Sequence, residues 1–168
     1  PSLTMIDNLK NKKPLFSANQ INERVCEMGS EISNKYFKKN PVIIGVLNGS
    51  FIFMADLLRS LTIDCEIDFI KLRSYVGNQS TGTIEILKDL SMDIKNRDII
   101  LVEDIIDTGN TVKFLRKKLY DSSPKSFSVV TLLFKPNIAK LNFNIDFIGF
   151  EIPPEFVVGY GLDYNQKF

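Results

Sequence analysis

The stretch Ile99-Ile100-Leu101-Val102-Glu103-Asp104-Ile105-Ile106-Asp107-Thr108-Gly109-Asn110-Thr111 runs from a β-branched apolar segment, past two adjacent acids, into a Gly/Thr-rich turn. Asp98 to Glu103 reads as a strand buried on both faces, because no polar residue interrupts its apolar run. Thr111 to Tyr120 reads as a helix with Val112, Leu115 and Leu119 on one face. Strand, glycine turn and helix form the unit from which doubly wound sheets are built, and such sheets bind ligands outside the carboxyl ends of their strands. Chemistry is therefore sought between Asp104 and Asn110.

The same unit recurs upstream. Pro41 opens the apolar strand Val42 to Leu47, Asn48-Gly49-Ser50 makes the turn, and Ser50 is placed to cap a helix over Phe51 to Leu61. Before it, Ser17 to Gln20 reads as a capping box that starts a helix with Ile21, Val25, Met28, Ile32 and Tyr36 on its inner face, ended by Lys38-Lys39-Asn40-Pro41. Ile63, Cys65, Ile67 and Phe69 alternate with Asp64, Glu66 and Asp68, which predicts a half-buried strand with the apolar set inward. Arg73 to Thr83 is polar, without hydrophobic period and too long for a simple connection, and reads as a functional lid or a disordered loop, the lid being favoured. Phe127 to Phe134 and Ile145 to Phe150 supply further strands. The predicted fold is α/β: one domain over 1–168, with a doubly wound, mainly parallel open sheet and helices on both faces.

Composition narrows the chemistry. A formal charge of +1 offers no broad cationic surface for nucleic acid or anionic lipid, and no apolar run approaches the length of a membrane span, so a cytoplasmic protein is expected. With no histidine, Ser-His and Cys-His nucleophile pairs are excluded, and catalysis must use carboxylates, lysines, hydroxyls and backbone dipoles. Cys26 and Cys65 read as separate buried thiols.

The turn itself carries two opposed demands. Asp107 to Thr111 aims successive N–H groups and two hydroxyls at a helix N-terminus, which suits a phosphate. Glu103, Asp104 and Asp107 put three carboxylates beside it, which would repel one. A sugar phosphate arriving with Mg²⁺ reconciles them, its hydroxyls facing the acids and its phosphate the turn.

The block Val102 to Thr111 resembles the phosphoribosyl-diphosphate (PRPP) motif of the type I phosphoribosyltransferases. Leu47-Asn48-Gly49-Ser50, the Ser74-Tyr75 loop, Leu132-Leu133-Phe134-Lys135 and Phe150 to Tyr164 are similar, in order, to the hypoxanthine-guanine members of that family. The resemblance implies transfer of a 6-oxopurine onto PRPP with release of pyrophosphate, in a fold whose chain ends, the N-terminal segment and about 151–168, form a small hood. It implies that Glu103 and Asp104 hold the ribose and that Asp107, Thr108, Gly109, Asn110 and Thr111 bind the 5′-phosphate. Asp107 would also exchange a proton at the base.

By the same resemblance, Lys135 donates to the exocyclic oxygen, Phe156 stacks on the base, and Val157 and Asp163 complete the purine site. Glu103, Asp104 and Asp163 are the implied magnesium ligands. Leu47, Asn48 and Gly49 would form the pyrophosphate loop, with a cis peptide before Asn48. Relatives often carry Lys or Arg at the position of Asn48, so only a backbone role is carried over there. Ser74 and Tyr75 would close over the reacting centre as part of a lid spanning about 72–86. An arginine just past the position of Phe168 is also implied, as is a homodimer or homotetramer. A second reading, an RNA-binding regulator retaining the PRPP motif, requires a basic face that the charge balance disfavours.

Overall fold

A computed structural model describes residues 3–8, 11–75 and 83–162. In chain order the elements are β1 (Leu3–Asn8), β2 (Asn11–Phe16), α1 (Ala18–Lys35), β3 (Val42–Leu47), α2 (Phe51–Ser60), β4 (Glu66–Tyr75), β5 (Thr83–Lys88), β6 (Asp98–Ile106), α3 (Asn110–Tyr120), β7 (Ser126–Phe134), β8 (Phe147–Glu151) and β9 (Phe156–Gly159).

Six strands form one sheet in the order β5-β4-β3-β6-β7-β8. All its neighbours are parallel except β5, which pairs antiparallel with β4 along the edge. Period-two alternation builds a core on each face. Val42, Ile44, Ile99 and Leu101 join one cluster with α3 residues Val112, Leu115 and Leu119. Ile43, Ile100 and Val102 join the other with Ile21, Val25 and Met28 of α1 and Phe53 of α2. Both faces are covered, so strands at the sheet centre read as unbroken apolar runs.

β3 lies between β4 and β6, and the chain winds in opposite directions from there. That arrangement is the topological switch where such sheets open a crevice. A second, antiparallel sheet, β2-β1-β9, brings the two ends of the chain together, and Val157 and Leu3 from it enter the α1/α2 core. No helix among the described residues is long and apolar enough to cross a membrane.

Ser17 forms the complete capping box: its Oγ accepts Gln20 N at 3.1 Å, and Gln20 Oε1 accepts Ser17 N at 2.8 Å. Ser50 departs from expectation. Its Oγ caps no amide of α2 but donates backwards to Val46 O at 2.6 Å, because its backbone is already helical and its side chain is buried.

The alternation over Ile63 to Phe69 also needs correction at two positions: Asp68 is buried and Ile67 is 45% exposed. The fixed acceptor demand of the β5–β6 connection reverses the pair, since Asp68 Oδ2 takes Ser91 N (2.7 Å) and Met92 N (3.2 Å) while Oδ1 takes Phe69 N (2.8 Å). Cys26 is exposed rather than buried and Cys65 only partly buried, as Cys26 lies off the inner stripe of α1. The polar run from Arg73 is not loop throughout: Arg73, Ser74 and Tyr75 extend β4 and pair with Glu85, Ile84 and Thr83 of β5. Cross-strand backbone bonds and the Arg73–Glu85 ion pair (2.8 Å) supply an order that hydrophobic period could not signal.

Candidate active site

β6 continues past Glu103 to Ile106, further than the sequence reading had it, because its parallel pairing with β7 persists to Ile106↔Phe134. Successive side chains of a strand face opposite ways. Glu103 accordingly lines a cavity with Ile106 and the turn Asp107 to Val112, while Asp104 lines a second with Lys135, Phe156, Val157 and Leu162. Ile105 and Asp107 border both, so the two cavities adjoin.

The first cavity sits on the N-terminus of α3. Gly109 occupies the N-cap with φ +88°, a conformation open to glycine, and brings no side chain to cap the helix. No acid lies in the first turn. Apart from Thr108 Oγ1, which accepts from Asn110 N at 3.4 Å, no side chain among the described residues caps the turn, so it presents backbone donors at the positive end of a helix dipole. The turn is braced from the β7–β8 connection: Lys140 N donates to Thr108 O (3.3 Å), and a Cβ at Gly109 would meet Leu141 Cδ2 at 2.5 Å. Leu141 carries no motif, and nothing in the sequence marks it.

Glu103 is buried on the wall of this cavity, and its Oε1 has no hydrogen-bond partner among the described residues. Burial first, then the charge of Asp104 and hydrogen bonding with it, push the Glu103 carboxyl well above the ordinary range. A buried acceptor without a partner calls for an explanation, and a ligand hydroxyl is one that the cavity beside it allows.

In the second cavity the buried Lys135 donates to Asp107 Oδ2 at 3.1 Å. Lys135 reaches this place because its backbone N bonds Ile106 O (3.0 Å), extending the β6–β7 pairing one residue beyond β7. Phe156 stands 47% exposed at the rim, whereas its neighbour Val157 is buried. Alternation along β9 produces this split. Ile105 and Leu162 supply further apolar wall; sequence reading missed both in this role, although Leu162 lies inside the motif that suggested the site.

The third element is the turn between β3 and α2. The Leu47–Asn48 peptide is cis, as the resemblance implied. Asn48 is exposed, and Gly49 lies so close to the Asp104 carboxylate that a Cβ there would collide with Oδ2. The turn after β3 and the acid at the end of β6 thus share a wall at the switch point. Ser74 is exposed on β4. The side chain of Tyr75, and Asp163 altogether, lie outside the described residues.

A family model described as phosphoribosyl transferase domain matches residues 15–165. The hypoxanthine phosphoribosyltransferase of Buchnera aphidicola is 47% identical over 93% of this chain and 90% of its own. The chain belongs to the hypoxanthine phosphoribosyltransferase family. It is accordingly a phosphoribosyltransferase, and its mainly parallel sheet is the type I fold of that family. A Bacillus anthracis hypoxanthine-guanine phosphoribosyltransferase with a HEPES molecule in its active site superposes with a TM-score of 0.86 at 42% identity, covering 92% of this chain and 91% of that one. The Trypanosoma cruzi hypoxanthine phosphoribosyltransferase in complex with the product IMP superposes with a TM-score of 0.84 at 36% identity, covering 92% and 87%.

Proposed function

We propose that this enzyme joins a 6-oxopurine, hypoxanthine and also guanine, to 5-phosphoribosyl 1-diphosphate, giving IMP or GMP and pyrophosphate. The observation that carries the reading is the shared border of the two cavities. Asp107 stands between an uncapped helix N-terminus and a pocket that holds a buried cation beside an exposed aromatic ring. A nucleotide fits that arrangement with its phosphate on the helix N-terminus, its base in the pocket and its sugar between them.

In this reading the turn Asp107 to Thr111 binds the 5′-phosphate through backbone N–H groups and hydroxyls. Glu103 and Asp104 accept the ribose hydroxyls, which gives the orphaned Glu103 Oε1 its partner. Phe156 stacks on the base, and Val157, with Asp163, completes its edge. Lys135 carries donors only, so it suits a 6-oxo group and leaves the 6-amino group of adenine facing another donor. As pyrophosphate leaves, positive charge grows on the sugar, and the carboxylates beside it stabilise that charge. Asp107 exchanges the proton at the base, a role left to a carboxylate in a chain without histidine. Leu47, Asn48 and Gly49 hold the pyrophosphate through their backbone.

The donor set also fits Mg²⁺. Glu103 and Asp104 are adjacent carboxylates, and Mg²⁺ takes one or two carboxylates plus substrate oxygens. Glu103, Asp104 and Asp163 would hold it, and it would neutralise phosphate charge on PRPP and on the leaving group. The chain acts as one domain, with the β1-β2-β9 sheet and the segment about 151–168 as a hood over the base, and the segment of about 72–86, Ser74 and Tyr75 included, as a lid that excludes water. It works in the cytoplasm as a homodimer or homotetramer.

The test is to incubate the protein with PRPP and Mg²⁺ plus hypoxanthine, guanine, xanthine or adenine in separate reactions, following pyrophosphate. Release with hypoxanthine and guanine but not adenine is expected. Release with adenine alone, or with no base, overturns the reading.

A further inference from the structure

β9 ends at Gly159 and runs into a turn, and Gly159, Tyr160 and Gly161 are three consecutive residues with φ of +102°, +51° and +79°. Glycine adopts such angles readily, but a tyrosine does so only where its surroundings hold it. Here the holding group is identifiable. The Tyr160 ring is buried, and its hydroxyl donates to Asp56 Oδ2 on α2. Asp56 is itself bonded by Arg59 one turn on. Gly161 packs against Phe51 and Ile52 at the start of α2, and Leu162 N closes the turn on Gly159 O at 3.0 Å. Two contacts therefore pin this strap to one helix.

That helix is the direct continuation of the Asn48–Gly49 turn, and the strap is the direct continuation of Phe156 and Val157. Leu162, immediately after the strap, lines the cavity that holds Lys135. Burial and the Asp56 carboxylate both push the Tyr160 hydroxyl upward, so it stays a donor throughout the working range of pH. The strap's contacts with α2, from Tyr160 to Asp56 and from Gly161 to Phe51 and Ile52, include no residue of the phosphate turn Asp107 to Thr111.

We propose that Tyr160 is a positioning residue: through Asp56 it fixes the base-binding strap on the helix that carries the pyrophosphate turn, and so sets the separation of those two subsites. The inference rests on the subsites assigned under Proposed function.

Tyr160→Phe removes the hydroxyl and keeps the ring. It is expected to raise KM for hypoxanthine, and KM for pyrophosphate in the reverse reaction with IMP, by about tenfold each, the order of a lost hydrogen bond to a charged group. Binding of ribose 5-phosphate, which needs only the phosphate turn and the ribose acids, is expected to change by less than about twofold, as for a site without shared partners. Asp56→Leu should reproduce the effect, and the double variant should be no worse than either single one; Asp56→Asn, which keeps an acceptor, should recover most of it. Equal losses in all three constants would show general loosening and overturn the inference. Unmoved constants in an active protein would overturn it alone. A wild-type protein without transferase activity would overturn the functional reading and the inference with it.

Discussion

Lys135 Nζ and Asp107 Oδ2 lie 3.1 Å apart, with the lysine side chain 6% exposed and the aspartate 51%. The cation is sequestered and the carboxylate is half open to the cavity. Only one partner of the pair is free to meet a ligand's proton while the other is aimed and held.

Asp107→Asn keeps the shape and an acceptor for Lys135 but cannot exchange a proton. Its kcat is expected to fall by roughly 10²- to 10⁴-fold, the range of acid–base loss, with IMP binding retained. Steady-state kinetics alongside calorimetric titration with IMP check this, and unchanged turnover would remove Asp107 from the role.

Lys135→Met fills the same volume without a donor. KM for hypoxanthine is expected to rise by about 10- to 100-fold, as for a hydrogen bond from a charged donor. Binding of ribose 5-phosphate should hold. Comparing the two by titration separates a base contact from general damage.

Gly49→Ala places a methyl group against the Asp104 carboxylate. The carboxylate must swing away, and a displacement of about 1 Å at a reacting centre can cost roughly 10²-fold in rate. A fall of that order in kcat/KM for PRPP is expected, and a wild-type value would show that the shared wall has no part in catalysis.

Glu103 titrates in the folded protein well above its unfolded value. Such a group favours folding below the unfolded pKa, and that contribution disappears as pH rises through the folded one. Ligand-free Glu103→Gln, which cannot ionise, is therefore expected to have a higher Tm than wild type at neutral pH, with the gap narrowing as pH falls. Thermal scans across the acid range decide it; a gap that widens on acidification contradicts the assigned environment.

Local signals proved sufficient where one interaction sets the structure. The Ser17–Gln20 box needs only four residues, and the apolar runs of β3 and β6 need only burial on both faces, so each was legible. Where a distant partner decides, the sequence is silent. Asp68 goes inward because Ser91 and Met92 need an acceptor, and Ile67 goes outward as a consequence. Asn11–Phe16, a Lys-rich segment, becomes a strand because β1 supplies its backbone partners. The acids and the turn of the candidate site were legible as one continuous motif, since a strand, a glycine and a helix start fix their relation. Ile105, Leu141 and Tyr160 were not, because their contributions come from contacts between β6, the β7–β8 connection and α2 that no spacing encodes.

A crystal structure of the protein with IMP and Mg²⁺ reads out directly what the elbow from Glu103 to Thr111 holds. The proposed function puts the phosphate oxygens on the backbone amides between Thr108 and Thr111, the ribose hydroxyls on Glu103 and Asp104, and the base between Phe156 and Lys135. A nucleotide bound with its phosphate anywhere else and that elbow vacant would contradict it.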